Sequence, residues 1–270
     1  MISFTPPPPG WYADPWRITS LRWWDGRDWT GWACADPPNG PVDPPSPTCS
    51  PWAAVIVGVA TVVTIFAARG VGSVFDYRQA GLATFVFYAL LFGGMAGSCI
   101  VASRVLGTGS IVRDFGWRFR TIDVAWGLAV LIASVVARVA FALVVGTDSG
   151  TSDDLRDGLL DHHDVLAVFL VAALIGAPLF EELVFRGVIQ RGLTKLTGKY
   201  VAIVAQGLLF GFYHVVGAFD LVSVFYVGSL SIIGMVFGIA ADRTGRLGPG
   251  MLAHFLSNAL AMAVLFGMSS

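Results

Sequence analysis

The chain has 270 residues, of which 55% are hydrophobic and only 13% charged, and its formal net charge is −1. Soluble domains carry about twice that charged share, so an ordinary soluble globule is excluded, and the near-neutral balance leaves no basic surface for a nucleic acid. The three cysteines, Cys34, Cys49 and Cys99, are odd in number and form no CxxC pair, which argues against a disulfide framework or a thiolate metal site.

The first residues combine an isolated apolar start with a proline run and lack a basic region followed by an apolar core. No cleavable signal peptide is expected. Residues 10–32 read GWYADPWRITSLRWWDGRDWTGW, with aromatic clusters around the turn signals Asp14-Pro15 and Asp25-Gly26. That pattern predicts a two- or three-stranded aromatic sheet. The W-Y-x-D-P and W-W-D-G-x-x-W-T patterns resemble a short Trp-rich domain of unknown function at the ends of bacterial membrane proteins. The resemblance implies docking to a protein partner or to lipid headgroups, or a plain cytosolic appendage, but no chemistry. Residues 1–32 are therefore read as a Trp-rich module and residues 33–51, ACADPPNGPVDPPSPTCSP, as an extended proline-rich linker.

From residue 52 to residue 270, long apolar runs alternate with short charged breaks. Seven spans are expected, at 52–68, 81–103, 122–146, 164–190, 199–219, 221–241 and 247–268, because about 20 helical residues cross a bilayer core of roughly 30 Å. The fold class is an all-α polytopic membrane protein, with lipid as its solvent. Residues 110–120, SIVRDFGWRFR, alternate basic and aromatic side chains and are expected at the interface.

Charge placement gives an orientation. One side receives Arg104, Arg113, Arg118, Arg120, Arg191, Lys195, Lys199, Arg243 and Arg246, the other Arg69, Arg78 and Arg156. Positive charge stays inside, so the N-terminus is expected in the cytoplasm and the C-terminus outside a plasma (inner) membrane.

Ionisable groups within spans are costly and are functional candidates by default. The fourth span carries Glu181, Glu182 and Arg186 just after Pro178. Glu182 and Arg186 are four apart and can pair on one helix face, whereas Glu181 lies about 100° around the helix and is free to point elsewhere. Pro178 removes a backbone donor and can kink the helix. The fifth span carries His214, and the seventh carries His254 and Asn258, again four apart. A lone histidine in an apolar helix is more often a packing residue, but two of them with an asparagine and a Glu-Glu pair are harder to dismiss. His162 and His163 lie beside acidic residues at the edge of a span and read as an exposed pair.

EELVFR, FGFYH and HFLSN match the E-E-x-x-x-R, F-x-x-x-H and H-x-x-x-N motifs of the CAAX-processing and bacteriocin-processing family, in the right order on three apolar segments. FGWRFRTIDVAWG also resembles the amphipathic segment before that family's core, so the resemblance covers about residues 110–265. It implies an intramembrane endopeptidase acting on a membrane-associated peptide or protein, lipidated or not. Glu181 with His214 would then deprotonate a water, and His254 and Asn258 would hydrogen-bond the oxyanion. Alternatively Glu181, His214 and His254 form a two-histidine, one-carboxylate set suited to a catalytic zinc. The HExxH helix of soluble zinc proteases is absent, and the residues leave both mechanisms open.

Other functions fit less well. No G-x-S-G motif supports a serine protease, and no two-fold repeat supports a transporter. A non-enzymatic immunity or scaffold protein remains the alternative, against which all motif positions are intact. Depth poses a difficulty: counted from Lys199, His214 lies about 22 Å along its helix, while Glu181 and His254 read as nearer the cytoplasmic side.

Overall fold

The computed structural model describes residues 7–8, 10–16, 20–24, 26, 28–34, 50–146, 152–215 and 221–267. Most of the expected linker, residues 35–49, and the end of the expected fifth span lie outside the described residues.

The N-terminal aromatic segment forms three antiparallel strands, β1 (Gly10–Ala13), β2 (Leu21–Trp24) and β3 (Trp29–Cys34), in the order β1-β2-β3. Trp11 opposes Trp23, and Trp24 opposes Trp29 past an irregularity in the β2–β3 register. Both pairs meet edge to face, at 5.5 and 5.3 Å between ring centroids. Cross-strand aromatic pairs of this kind stabilise short sheets. The buried Arg22 bonds Asp14 at 2.9 Å and stacks over Trp16.

The rest of the described chain is helical: α1 (Pro51–Gly72), α2 (Ala80–Leu106), the short α3 (Ile111–Phe115), α4 (Asp123–Val145), α5 (Ser152–Leu160), the long α6 (His163–Thr197), α7 (Lys199–Tyr213), α8 (Leu221–Thr244) and α9 (Gly248–Gly267). Helix α1 begins as its sequence dictates, with Pro51 in the first turn and the Ser50 hydroxyl accepting the Trp52 N–H. Among the described residues six helices are long and apolar enough to cross a bilayer, and α7, with 15 residues, is a shorter apolar helix in the place of the expected fifth span. Large apolar side chains such as Val59, Val63, Phe66, Ile132, Val136 and Val139 point outward. A multi-pass integral membrane protein is the arrangement that puts them in lipid.

Helix α1 packs on α2, α7 on α8, and α4 against both α8 and α9. The α7–α8 contact is made by glycines: a Cβ on Gly234 would lie 2.9 Å from the Gly207 Cα. Close backbone approach through small residues is how helices associate where lipid removes the hydrophobic drive. Within residues 110–120, Val112, Arg113, Arg118, Phe119 and Arg120 are exposed while the centre packs against the protein. Asp114 and Phe115 are buried, and Asp114 accepts bonds from the Ser103 hydroxyl and from the Thr108 N–H and hydroxyl. Arg246, just before α9, reaches Asp123 at the start of α4 with Nε 3.1 Å from Oδ1.

Candidate active site

Helix α6 is not a regular α-helix. Its turns at Ala172–Gly176 and Leu183–Gln190 are π-helical, and Ala177–Glu182 between them is α-helical. Such bulges are rare and favour functional positions. In the first bulge the Ala177 N–H bonds the Ala172 carbonyl, five residues back. The next donor in that register would be residue 178, which is proline and has no N–H. The Ala173 carbonyl accepts instead from Asn258 Nδ2 of α9 at 2.7 Å. Asn258 thereby braces the bulged helix.

Just beyond this brace, Glu181 and Glu182 are both buried. Glu182 Oε1 accepts from Arg186 Nη1 at 2.8 Å and lies 3.2 Å from His254 Nδ1. Arg186 has no exposed surface; it also donates to the Gly234 carbonyl and lies over the Phe210 ring, 4.3 Å from its centroid. A buried charge is tolerated only with such partners.

Glu181 has a different environment. Its Oε2 has no hydrogen-bond partner among the described residues, yet stands 3.7 Å from His214 Nε2 and 3.8 Å from His254 Nε2. His214 Nδ1 is 2.8 Å from the Phe210 carbonyl, which can only accept, so that nitrogen carries the proton. On His254, Nδ1 carries the proton by the same reasoning, because it faces the Glu182 carboxylate. With neutral rings, the acceptor nitrogens of two imidazoles stand within 3.8 Å of one carboxylate oxygen. Three acceptors so close together suit the hydrogens of a water or a small cation.

Five of the six sequence candidates, Glu181, Glu182, Arg186, His214 and His254, thus form one linked cluster. The sixth, Asn258, contacts the helix that bears the two glutamates. His162 and His163 are exposed at the start of α6, away from the cluster.

The depth difficulty resolves through helix lengths. Helix α6 runs on to Thr197 instead of stopping near 190, and Gly198, with φ +80°, turns the chain into α7. Glu181 lies 17 residues before Gly198 and His214 lies 16 after it (198 − 181 and 214 − 198), so both sit about 25 Å along their helices from the same turn. Helix α9 meets them because its first residues, Gly248 to Met251, are themselves buried inside the bundle.

Sequence reasoning missed several neighbours. Gln190 donates to the Gly238 carbonyl, and Gln206 to the Gly234 carbonyl that Arg186 also uses. The four-residue steps Glu182, Arg186, Gln190 on an apolar helix were a visible signal for the first. Tyr88, Tyr213 and Tyr226, from three other helices, stand within electrostatic reach of Glu181. No local pattern marks them. Beside the site, a groove of about 500 Å³ runs between α4, α6 and α9, lined by Pro178, Leu179, Met251 and Phe255 among others.

The donor set can be tested against zinc. Ligands about 2.1 Å from a tetrahedral ion lie about 3.4 Å from one another, slightly closer than the separations from Glu181 to the two histidines. Among the described residues no group of three or more His, Cys, Asp or Glu stands in ligand geometry as it is. The outer contacts do fit, because each histidine turns its second nitrogen to a carbonyl or carboxylate, the usual support of a metal-ligating imidazole.

Residues 163–260 match the family model of the type II CAAX prenyl endopeptidase, Rce1-like. Over that segment the chain is similar to CAAX-type membrane endopeptidases. No curated protein and no solved structure matches it. The matched segment contains the π-bulged helix, both histidines that flank Glu181, and Asn258.

Proposed function

We propose that the chain hydrolyses a peptide bond of a membrane-associated, lipid-modified protein or peptide, with Glu181 as the general base. The observation that carries this reading is the unpartnered Glu181 Oε2 between two imidazole nitrogens. A water held by Glu181 and His214 loses a proton to the Glu181 carboxylate as its oxygen attacks the scissile carbonyl. The same carboxylate then returns that proton to the leaving amine. His254, when protonated on both nitrogens, donates from Nε2 to the oxyanion while Glu182 holds its Nδ1–H. Arg186 fixes Glu182 and so positions His254 indirectly. Asn258 holds the bulged helix through Ala173, which departs from the oxyanion role that the motif implies. The groove beside Pro178 is an apolar seat in which a substrate segment can lie against the site.

A zinc ion held by Glu181, His214 and His254 would supply a Lewis acid for activating water. The histidines' outer contacts favour that second reading. One experiment separates the two: purify the chain in detergent, measure bound metal, and assay cleavage of a lipid-modified peptide with and without a chelator. The glutamate mechanism requires cleavage that persists without metal. A stoichiometric metal whose removal stops cleavage would favour the zinc reading, and an absence of cleavage under every condition would favour a scaffold or immunity protein.

A further inference from the structure

At the end of the bundle where α6 turns into α7, a cavity of about 940 Å³ opens between the membrane helices and the N-terminal sheet. Its walls carry five cations: Arg113, Arg118, Arg191, Lys199 and Arg243. Only two acids, Asp28 and Asp242, face them. Among the described residues Arg113, Arg118, Lys199 and Arg243 have no ion-pair partner. Arg191 occupies a built seat. Its Nη2 donates to the Gly245 carbonyl at 2.9 Å, and it lies against Gly116, where φ is +73° and a Cβ would collide with the guanidinium.

The remaining wall is apolar. Met235 and Ile239 of α8 and Tyr200 and Val204 of α7 line it, and of these Tyr200, Val204 and Ile239 are exposed on the outside of the bundle. Trp29 and Thr30 of β3 add to the cavity lining. A cluster of cations at the end of a bundle, continuous with a lipid-facing apolar strip, matches a ligand with a phosphate at one end and hydrocarbon at the other. A free phosphate would use the cations and leave the apolar strip without a purpose. A protein partner would have to leave lipid to reach the apolar strip, which is continuous with exposed side chains of α7 and α8.

We infer that this cavity binds the headgroup of an anionic phospholipid, with its acyl chains along α7 and α8. The bound lipid bridges the Trp-rich module and the membrane domain, and the site is separate from Glu181 and its histidines. Arginine forks and a lysine point charge both suit a phosphodiester, and binding weakens as salt rises.

The test uses the full chain in detergent, with native mass spectrometry and thermal unfolding as readouts. Added phosphatidylglycerol should be retained at least ten-fold better than phosphatidylcholine, and it should raise the unfolding temperature where phosphatidylcholine does not. The double variant Arg118→Gln, Arg243→Gln should lose that preference while keeping the unfolding temperature measured without lipid. Arg243→Lys alone should keep most of the preference. Millimolar glycerol phosphate should fail to displace the lipid. Equal retention of the two lipids, an unchanged preference in the double variant, or displacement by glycerol phosphate would each overturn the assignment.

Discussion

Asn258 donates its side-chain N–H to the Ala173 carbonyl at 2.7 Å, the acceptor that Pro178 leaves without a helical partner. One side chain on α9 thus completes the hydrogen bonding of a turn on α6, five residues before Pro178 and eight before Glu181. Asn258→Ala should cost about 1–2 kcal/mol of stability, the price of an unsatisfied buried carbonyl, and lower cleavage without abolishing it. Thermal unfolding in detergent and a peptide assay read the two effects. If stability is untouched while activity vanishes, the asparagine acts on substrate and the bracing role fails.

Glu181→Gln preserves shape but removes the base. Loss of a general base lowers a rate by about 10²–10⁴, and the unfolding temperature should barely move because Glu181 Oε2 has no bond to lose. His214→Ala and His254→Ala should be comparably inactive, and His163→Ala silent. Near wild-type cleavage by Glu181→Gln would sink the assignment.

Arg186→Ala should act through folding. It strands Glu182 as an unpaired buried charge, a change that typically costs about 3–5 kcal/mol, so protein yield and activity should fall together in expression trials. Arg186→Lys should rescue poorly, because an ammonium cannot reach both Glu182 Oε1 and the Gly234 carbonyl as a planar fork does. Normal yield from Arg186→Ala would mean that the pair is dispensable for folding.

Gly234→Ala should lower the unfolding temperature, since its Cβ would meet backbone on α7 and not a side chain that can swing away. Overpacking of this kind costs about 1–3 kcal/mol. Gly93→Ala is the matched control, because a Cβ there meets nothing within 4 Å.

Nine basic residues against three predict that a reporter fused at residue 1 is cytoplasmic and one fused after residue 270 is extracytoplasmic. Two reporters on the same side of the membrane would rule out an odd number of crossings.

The apolar runs, the aromatic strands and the three motifs were legible because each depends on neighbours within a few residues. The Glu182–Arg186 pair was legible for the same reason, being one turn apart. The full length of α6 was obscured by Arg191 and Lys195, which look like the end of a span but lie on a helix that continues to Thr197. Helix α7 read as a full span because its hydropathy continues past Tyr213, although its helix ends there. The bond from Asn258 to Ala173, the Asp123–Arg246 pair and the three tyrosines near Glu181 join residues far apart in the chain, so no local pattern announces them.

The near-equal arms on either side of Gly198 make the turn a ruler. Each residue inserted between Glu181 and Gly198, or between Gly198 and His214, would slide one partner by about 1.5 Å and swing it by about 100°. A single insertion in either arm would therefore aim His214 away from Glu181, whereas equal insertions in both would displace the pair together yet still leave His254 behind. Across related chains, length variation should be rare in this hairpin and tolerated in the segments on either side of α5, which carry none of the clustered side chains.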